Sequence, residues 1–172
     1  EEAGAAISHG DAKAAGKPMM TLMHGTVGLL HASMGLFQAW SDRVPVFGVV
    51  AHNRNPTSVI NRAHSAQDMG ALVRDFVKMD DEPTEIEGFG GIAMRAYTLG
   101  RTPPMGPTLL VVDSELQESS VADPTKLRVL VPVTATDYRE LRINMARARA
   151  ERPDDAYLEV EVLPKNRHTR LT

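Results

Sequence analysis

The chain has 172 residues, enough for one domain and part of a second. Hydrophobic residues make up 42% and charged residues 24%, a balance typical of globular domains, and the net charge of -3 gives no basis for a nucleic-acid or anionic-membrane partner. With no cysteine, disulfides, thiolate catalysis and cysteine-bound metals are excluded, and no apolar run approaches the roughly 18 residues of a membrane helix.

Glu1 to Ala15 is alanine-rich and predicts a helix, closed by Gly16-Lys17-Pro18. The opening Glu1-Glu2-Ala3 reads as lying inside that helix and lacks a methionine, so a piece of a longer protein is expected. Met19 to Met23 predicts a short strand, followed by the loop His24-Gly25-Thr26-Val27-Gly28. Leu29 to Trp40 carries Leu29, Ala32, Ser33, Leu36, Phe37 and Trp40 at helical spacing. Ser41-Asp42-Arg43 breaks that helix, and Val44 to Ala51 predicts a second strand. Both strands are nearly continuously apolar, as strands covered on two faces are. Together they predict a βαβ unit with a glycine loop at the carboxyl end of its first strand, where ligands bind in open parallel sheets.

His52 to Ala66 is polar and punctuated by Asn55-Pro56, which predicts an exposed loop. Gln67 to Arg74 predicts one or two helical turns, and Phe76-Val77-Lys78-Met79 a short strand. Pro83 suits the first turn of a helix reaching about Leu99, with Ile86, Phe89, Ala93, Ala96 and Tyr97 as its apolar stripe. Thr102-Pro103-Pro104-Met105-Gly106-Pro107 is a stiff connector, and Thr108 to Val112 a last buried strand. Ser114 to Thr125 reads as connecting sequence. Beyond it, Asp137 to Arg149 predicts a helix, Tyr157 to Leu163 a strand, and Lys165 to Thr172 a frayed basic tail. The fold class that follows is α/β, a parallel sheet flanked by helices.

Three stretches in this order carry a resemblance: Glu1-Glu2-Ala3 through Gly16-Lys17-Pro18, Met23-His24-Gly25-Thr26-Val27-Gly28 through Asp42-Arg43-Val44-Pro45-Val46, and Thr102-Pro103-Pro104-Met105-Gly106-Pro107 through Asp113. Over about residues 1–117 the chain resembles the pyrimidine-binding domain of thiamine-diphosphate enzymes, in the group of acetolactate synthase and benzoylformate decarboxylase. The resemblance implies a domain truncated on its N-terminal side, a linker at 118–135, and the start of a middle domain at 136–172. It implies an enzyme acting on 2-keto acids, a decarboxylase, lyase or acetohydroxyacid synthase. Its cofactor would be thiamine diphosphate (thiamine pyrophosphate), held between two subunits of a homodimer or homotetramer. Mg2+ would bind the diphosphate through a Gly-Asp-Gly motif of another domain, which does not occur in this chain. A cytoplasmic location is the accompanying expectation, and this chain alone is expected to turn over little.

The resemblance places the family's catalytic glutamate, which hydrogen-bonds the aminopyrimidine ring and promotes its proton transfer, at Glu1; Glu2 is the choice after a slip of one residue. Both acids also read as solvated first-turn residues, favourable near a helix N-terminus. His24 matches a substrate-facing histidine of benzoylformate decarboxylases, and an imidazole there can move protons near neutral pH; a histidine satisfied by local backbone is the other reading. Acetolactate synthases carry a Ser-Gly-Pro-Gly type loop instead, a departure that weakens that activity. Gly25, Thr26 and Gly28 would meet the cofactor, the glycines because their backbone can approach a ligand closely. His52, after the second strand, and Gln67, in the family-like segment His64-Ser65-Ala66-Gln67-Asp68, are candidate substrate contacts. His9 and His31 read as surface or packing residues, and the nine methionines as core filler. No spacing suggests a metal site. A non-catalytic pairing or regulatory module of the same fold is the alternative. A nucleotide-binding domain lacks its Gly-x-Gly-x-x-Gly or Walker loop here.

Overall fold

The computed structural model describes residues 1–53 and 64–121. The expectations for 54–63 and for 122–172, among them most of the linker and all of the middle-domain start, lie outside the described residues. The elements are α1 (Glu2–Ala15), β1 (Met19–Met23), α2 (Thr26–Ser41), β2 (Val46–His52), β3 (Asp80–Asp81), α3 (Ile86–Arg101), β4 (Thr108–Asp113) and α4 (Ser114–Glu118), with 3-10 turns at Gly70–Leu72 and Arg74–Phe76. The four strands form one sheet in the order β1-β2-β4-β3, and every pair is parallel. The α/β class and the first βαβ unit are as the sequence predicts.

Helix α1 stops where Gly16 turns left-handed at φ 67° and donates its N–H to Ala12 O. Helix α2 begins three residues before the predicted Leu29, because Gly25 serves as its N-cap and its carbonyl accepts the first helical bond, from Leu29 N. On one sheet face, Ala5 of α1 and Leu29, Ala32, Leu36 and Ala39 of α2 pack on Met23, Val46, Val50, Leu109 and Val111. Gly35 makes the close crossing of the two helices possible, since a Cβ there would lie 2.7 Å from Ala5 Cβ. On the other face, Ile86, Phe89, Ala93 and Ala96 of α3 cover Phe47, Val49, Leu110 and Val112. Tyr97 meets Phe47 edge-on. The α3 stripe is the one the sequence predicts.

Three predicted elements change. The strand expected at residues 76–79 is displaced to Asp80–Asp81, because Phe76 completes a 3-10 turn and only then does the chain pair with β4. Pro83 is buried ahead of α3 rather than inside its first turn, and Glu85 is the N-cap. Ser114–Glu118, read as connecting sequence, is a short helix started by Asp113, whose side chain accepts from Glu115 N. The carboxyl end of α3 is held by Lys78, whose Nζ donates to Leu99 O and Thr102 O, both at 2.6 Å. Burial, with a smaller contribution from nearby Arg43, pulls the Lys78 ammonium below the usual lysine range.

Candidate functional site at the carboxyl end of the sheet

The parallel strands bring the residues that follow β1 and β2, and the amino end of α2, to one edge. Helix α1 returns to the same edge with its first residue. The Glu1 carboxylate lies against the opening turn of α2: His24 N–H donates to Glu1 Oε1 at 3.4 Å, and a Cβ added at Gly28 would lie 2.9 Å from that oxygen. Gly28 is thus the notch that receives the acid. A carboxylate beside the first turn of a 16-residue helix also meets the positive end of its dipole. Glu2 is exposed in the first turn of α1.

Gly25 fits under a second segment. Its absent Cβ would lie 2.5 Å from His64 O and 3.3 Å from Ala51 O, both rigid backbone atoms. Thr26 N–H donates to His64 O at 3.3 Å. The His24 and His64 rings meet edge to face, with centroids 4.6 Å apart and an interplanar angle of 88°. His64 has φ 85°, a backbone conformation that side-chain-bearing residues rarely adopt. Thr26 Oγ1 is buried with no hydrogen-bond partner.

The other predicted residues fall in different places. Gln67 is exposed. The His52 side chain is fully buried, and its ring meets Glu82 Oε1 through Nδ1 at 2.8 Å and Ala66 O through Nε2 at 2.9 Å. Its strand partner across the ladder is Asp113. His52, Glu82 and Asp113 each offer a ligand atom, all within 4.8 Å of one another, a grouping absent from the sequence reading. β3 lies later in the sequence than the expected strand at 76–79, and only that shift puts Glu82 just past a strand end. His64 was also missed as an individual residue; its neighbourhood to His24 depends on a chain crossing that local spacing does not encode. His31 is exposed, and His9 Nε2 bonds Asp42 Oδ2 at 3.1 Å beside Lys13. Hydrogen bonding and charge from Lys13, with a smaller part from His9, hold the Asp42 carboxyl below its ordinary range.

Residues 1–73 match a family model described as thiamine pyrophosphate enzyme, N-terminal TPP binding domain. No curated protein matches the chain at a significant level. Among solved structures, a protein described as a thiamin diphosphate-dependent enzyme, isolated from Mycobacterium smegmatis, superposes with a TM-score of 0.69 at 25% identity, over 87% of this chain and 29% of its own. Benzoylformate decarboxylase from Polynucleobacter necessarius superposes with a TM-score of 0.68 at 21% identity, over 87% of this chain and 28% of its own. The chain therefore spans under a third of the length of these structures, and among the described residues no helix is long and apolar enough to cross a membrane. Residues 1–73 are thus similar to the N-terminal TPP-binding domain of thiamine pyrophosphate enzymes, and the chain shares the fold of those solved structures.

Proposed function

We propose that this chain supplies the aminopyrimidine-holding half of a thiamine-diphosphate site in an enzyme acting on 2-keto acids, of decarboxylase, lyase or acetohydroxyacid synthase type. The observation that carries the reading is the Glu1 carboxylate seated on Gly28 at the start of α2, beside His24. The residues present fit the ring. Thr26 Oγ1 is a buried hydroxyl with hydrogen-bonding capacity to spare, and Gly25 and Gly28 keep the backbone low between the two acid- and imidazole-bearing segments. When bound, the cofactor supplies the electron sink for bond cleavage next to a keto group. Glu1 Oε1 would hold or exchange a proton at the bound ring, the role of an acid–base partner. His24, exposed at the mouth with His64 against it, holds or delivers a proton on the substrate side. Mg2+ and the diphosphate would be held by residues outside this chain.

A second subunit completes the site in this reading. Val27, Leu30, Met34 and Phe37 form an exposed apolar stripe along α2, leading away from the crevice. Such a stripe suits burial against a partner, and a second copy of the chain is the partner proposed. The same stripe is what favours the second reading, a pairing module without catalysis.

The test is a titration with 4-amino-5-hydroxymethyl-2-methylpyrimidine, the half of the cofactor this chain would hold, followed by amide NMR shifts. Shifts at His24, Thr26 and Gly28 that vanish in Glu1→Gln support the reading. Equal binding by parent and Glu1→Gln, or shifts confined to other edges of the sheet, refutes it. Dimerisation without any pyrimidine response favours the pairing module.

A further inference from the structure

We propose that His52 is a positioning residue of the crevice: through Ala66 it fixes the His64 segment against the start of α2, and so sets the ring of His24. The inference rests on the crevice being the ligand site, but its geometry stands without a ligand.

The argument begins with proton counting. Ala66 O can only accept, so His52 Nε2 carries the hydrogen of that 2.9 Å bond. Nδ1 then faces a carboxylate oxygen of Glu82 at 2.8 Å, a distance that requires a proton between them, on the ring or on the acid. The ring is gripped on both sides, and its side chain has no solvent exposure. Rotating it breaks both bonds and leaves the buried ring nitrogens without partners. His52 is also the last residue of β2, paired there with Asp113 of β4.

What His52 grips is the segment that needs holding. Two residues before Ala66, His64 sits in a left-handed conformation at φ 85°. Such a conformation persists where the surroundings determine it. Two ties flank it: the Ala66–His52 bond on one side and the Thr26 N–H bond to His64 O on the other. Between them the His64 Cβ lies over Gly25, and the His64 ring stands edge-on to His24. Release of Ala66 removes one of these two ties, and the edge-on imidazoles lose part of their common frame.

The experiment compares His52→Asn, which removes the bond to Ala66, with His52→Gln, whose longer amide reaches Ala66 O and restores it. The readouts are the imidazole proton and nitrogen NMR signals of His24 and His64 and the exchange protection of the Thr26 amide. In His52→Asn the two imidazole signals shift together, and Thr26 protection falls by roughly tenfold. Those of His9 and His31 stay in place. His52→Gln returns the signals to their parent positions. A folded His52→Asn chain with unmoved His24, His64 and Thr26 signals overturns the proposal. Should His52→Asn not fold, His52→Gln decides: signals at parent positions support it, and displaced signals overturn it. Titration of the same samples with the aminopyrimidine probe separates the two readings. A parent that binds no pyrimidine removes the functional reading, whereas the positioning result is read from the ligand-free spectra.

Discussion

Placing a methyl group at Gly35 tests whether the α1–α2 crossing sets both stability and the position of the acid. In Gly35→Ala the new Cβ would lie 2.7 Å from Ala5 Cβ, 3.2 Å from Ala5 C and 3.4 Å from Ala6 N. Ordinary carbon contacts lie near 3.5–4.0 Å, and two of the three neighbours are backbone atoms of α1. The helices must therefore separate by about 1 Å. Overpacking of this kind costs about 1–3 kcal/mol, and replacing glycine by alanine within a helix returns up to ~1 kcal/mol. With the full propensity gain, the expected net loss is about 0–2 kcal/mol. Gly10, in the middle of α1, is the control: a Cβ there meets nothing within 4 Å. Gly10→Ala keeps the propensity gain without a clash, and is expected to be up to ~1 kcal/mol more stable than the parent. Urea unfolding measures both, read as a change of midpoint at constant slope. Because α1 carries Glu1, the Gly35 variant should also move the His24 amide signal. A Gly35→Ala protein as stable as Gly10→Ala would refute the close crossing and the lever it gives to the acid.

Four further outcomes are expected. Gly25→Ala would bring its Cβ against His64 O and Ala51 O; loss of the His24–His64 ring contact, seen in imidazole NMR shifts, is the result, and unchanged shifts would contradict the packing. Lys78→Met removes two hydrogen bonds to the end of α3 and should cost about 1–3 kcal/mol in urea unfolding. Burial disfavours the Lys78 ammonium in the fold, so the side chain contributes more stability as pH rises from its lowered folded pKa toward the ordinary lysine value of 10.5, and is level outside that window. The penalty of Lys78→Met should therefore grow between neutral and strongly alkaline pH, and an equal penalty at both would refute the burial. The Asp42 carboxyl is held below its ordinary value of 3.8, so its contribution is present above that value and lost as pH falls through the folded one; Asp42→Asn should be slightly less stable than the parent in urea unfolding near neutrality, and the difference should vanish in acid.

Much of this architecture was legible in the order of residues because it rests on local rules. Gly16 ending α1, the helical stripe Ile86 to Tyr97, and the two apolar strands flanking α2 each depend on a pattern read within one element. Glu1, His24 and the glycines were assigned roles by resemblance, and the structure brings Glu1, His24, Gly25 and Gly28 to one turn. The roles themselves are the proposal above. What the sequence hid depends on partners distant in the chain. Asp80 and Asp81 lack the composition of a strand, and β3 forms because β4 offers a free edge at Leu109 and Leu110. Phe37 shares the helical spacing of Leu29, Ala32 and Leu36 but is 45% exposed, because α2 is covered on the side of those three. His52 was read as a loop-end contact, and only the descent of Ala66 and Glu82 onto it encloses the ring.

The two flanks of the sheet are unequal. At one, pairing runs for just two residues, Asp80 and Asp81, before the chain leaves for α3. At the other, Met19 to Met23 is a flank strand bonded only to β2 among the described residues, with Met20 and Leu22 turned outward. Unpaired amides and carbonyls along such a flank are a template for a further strand. Lateral growth of the sheet therefore has one direction, and its terminus is the histidine where β1 meets α2. Any polypeptide that extended the ladder there would stand beside the proposed ligand crevice.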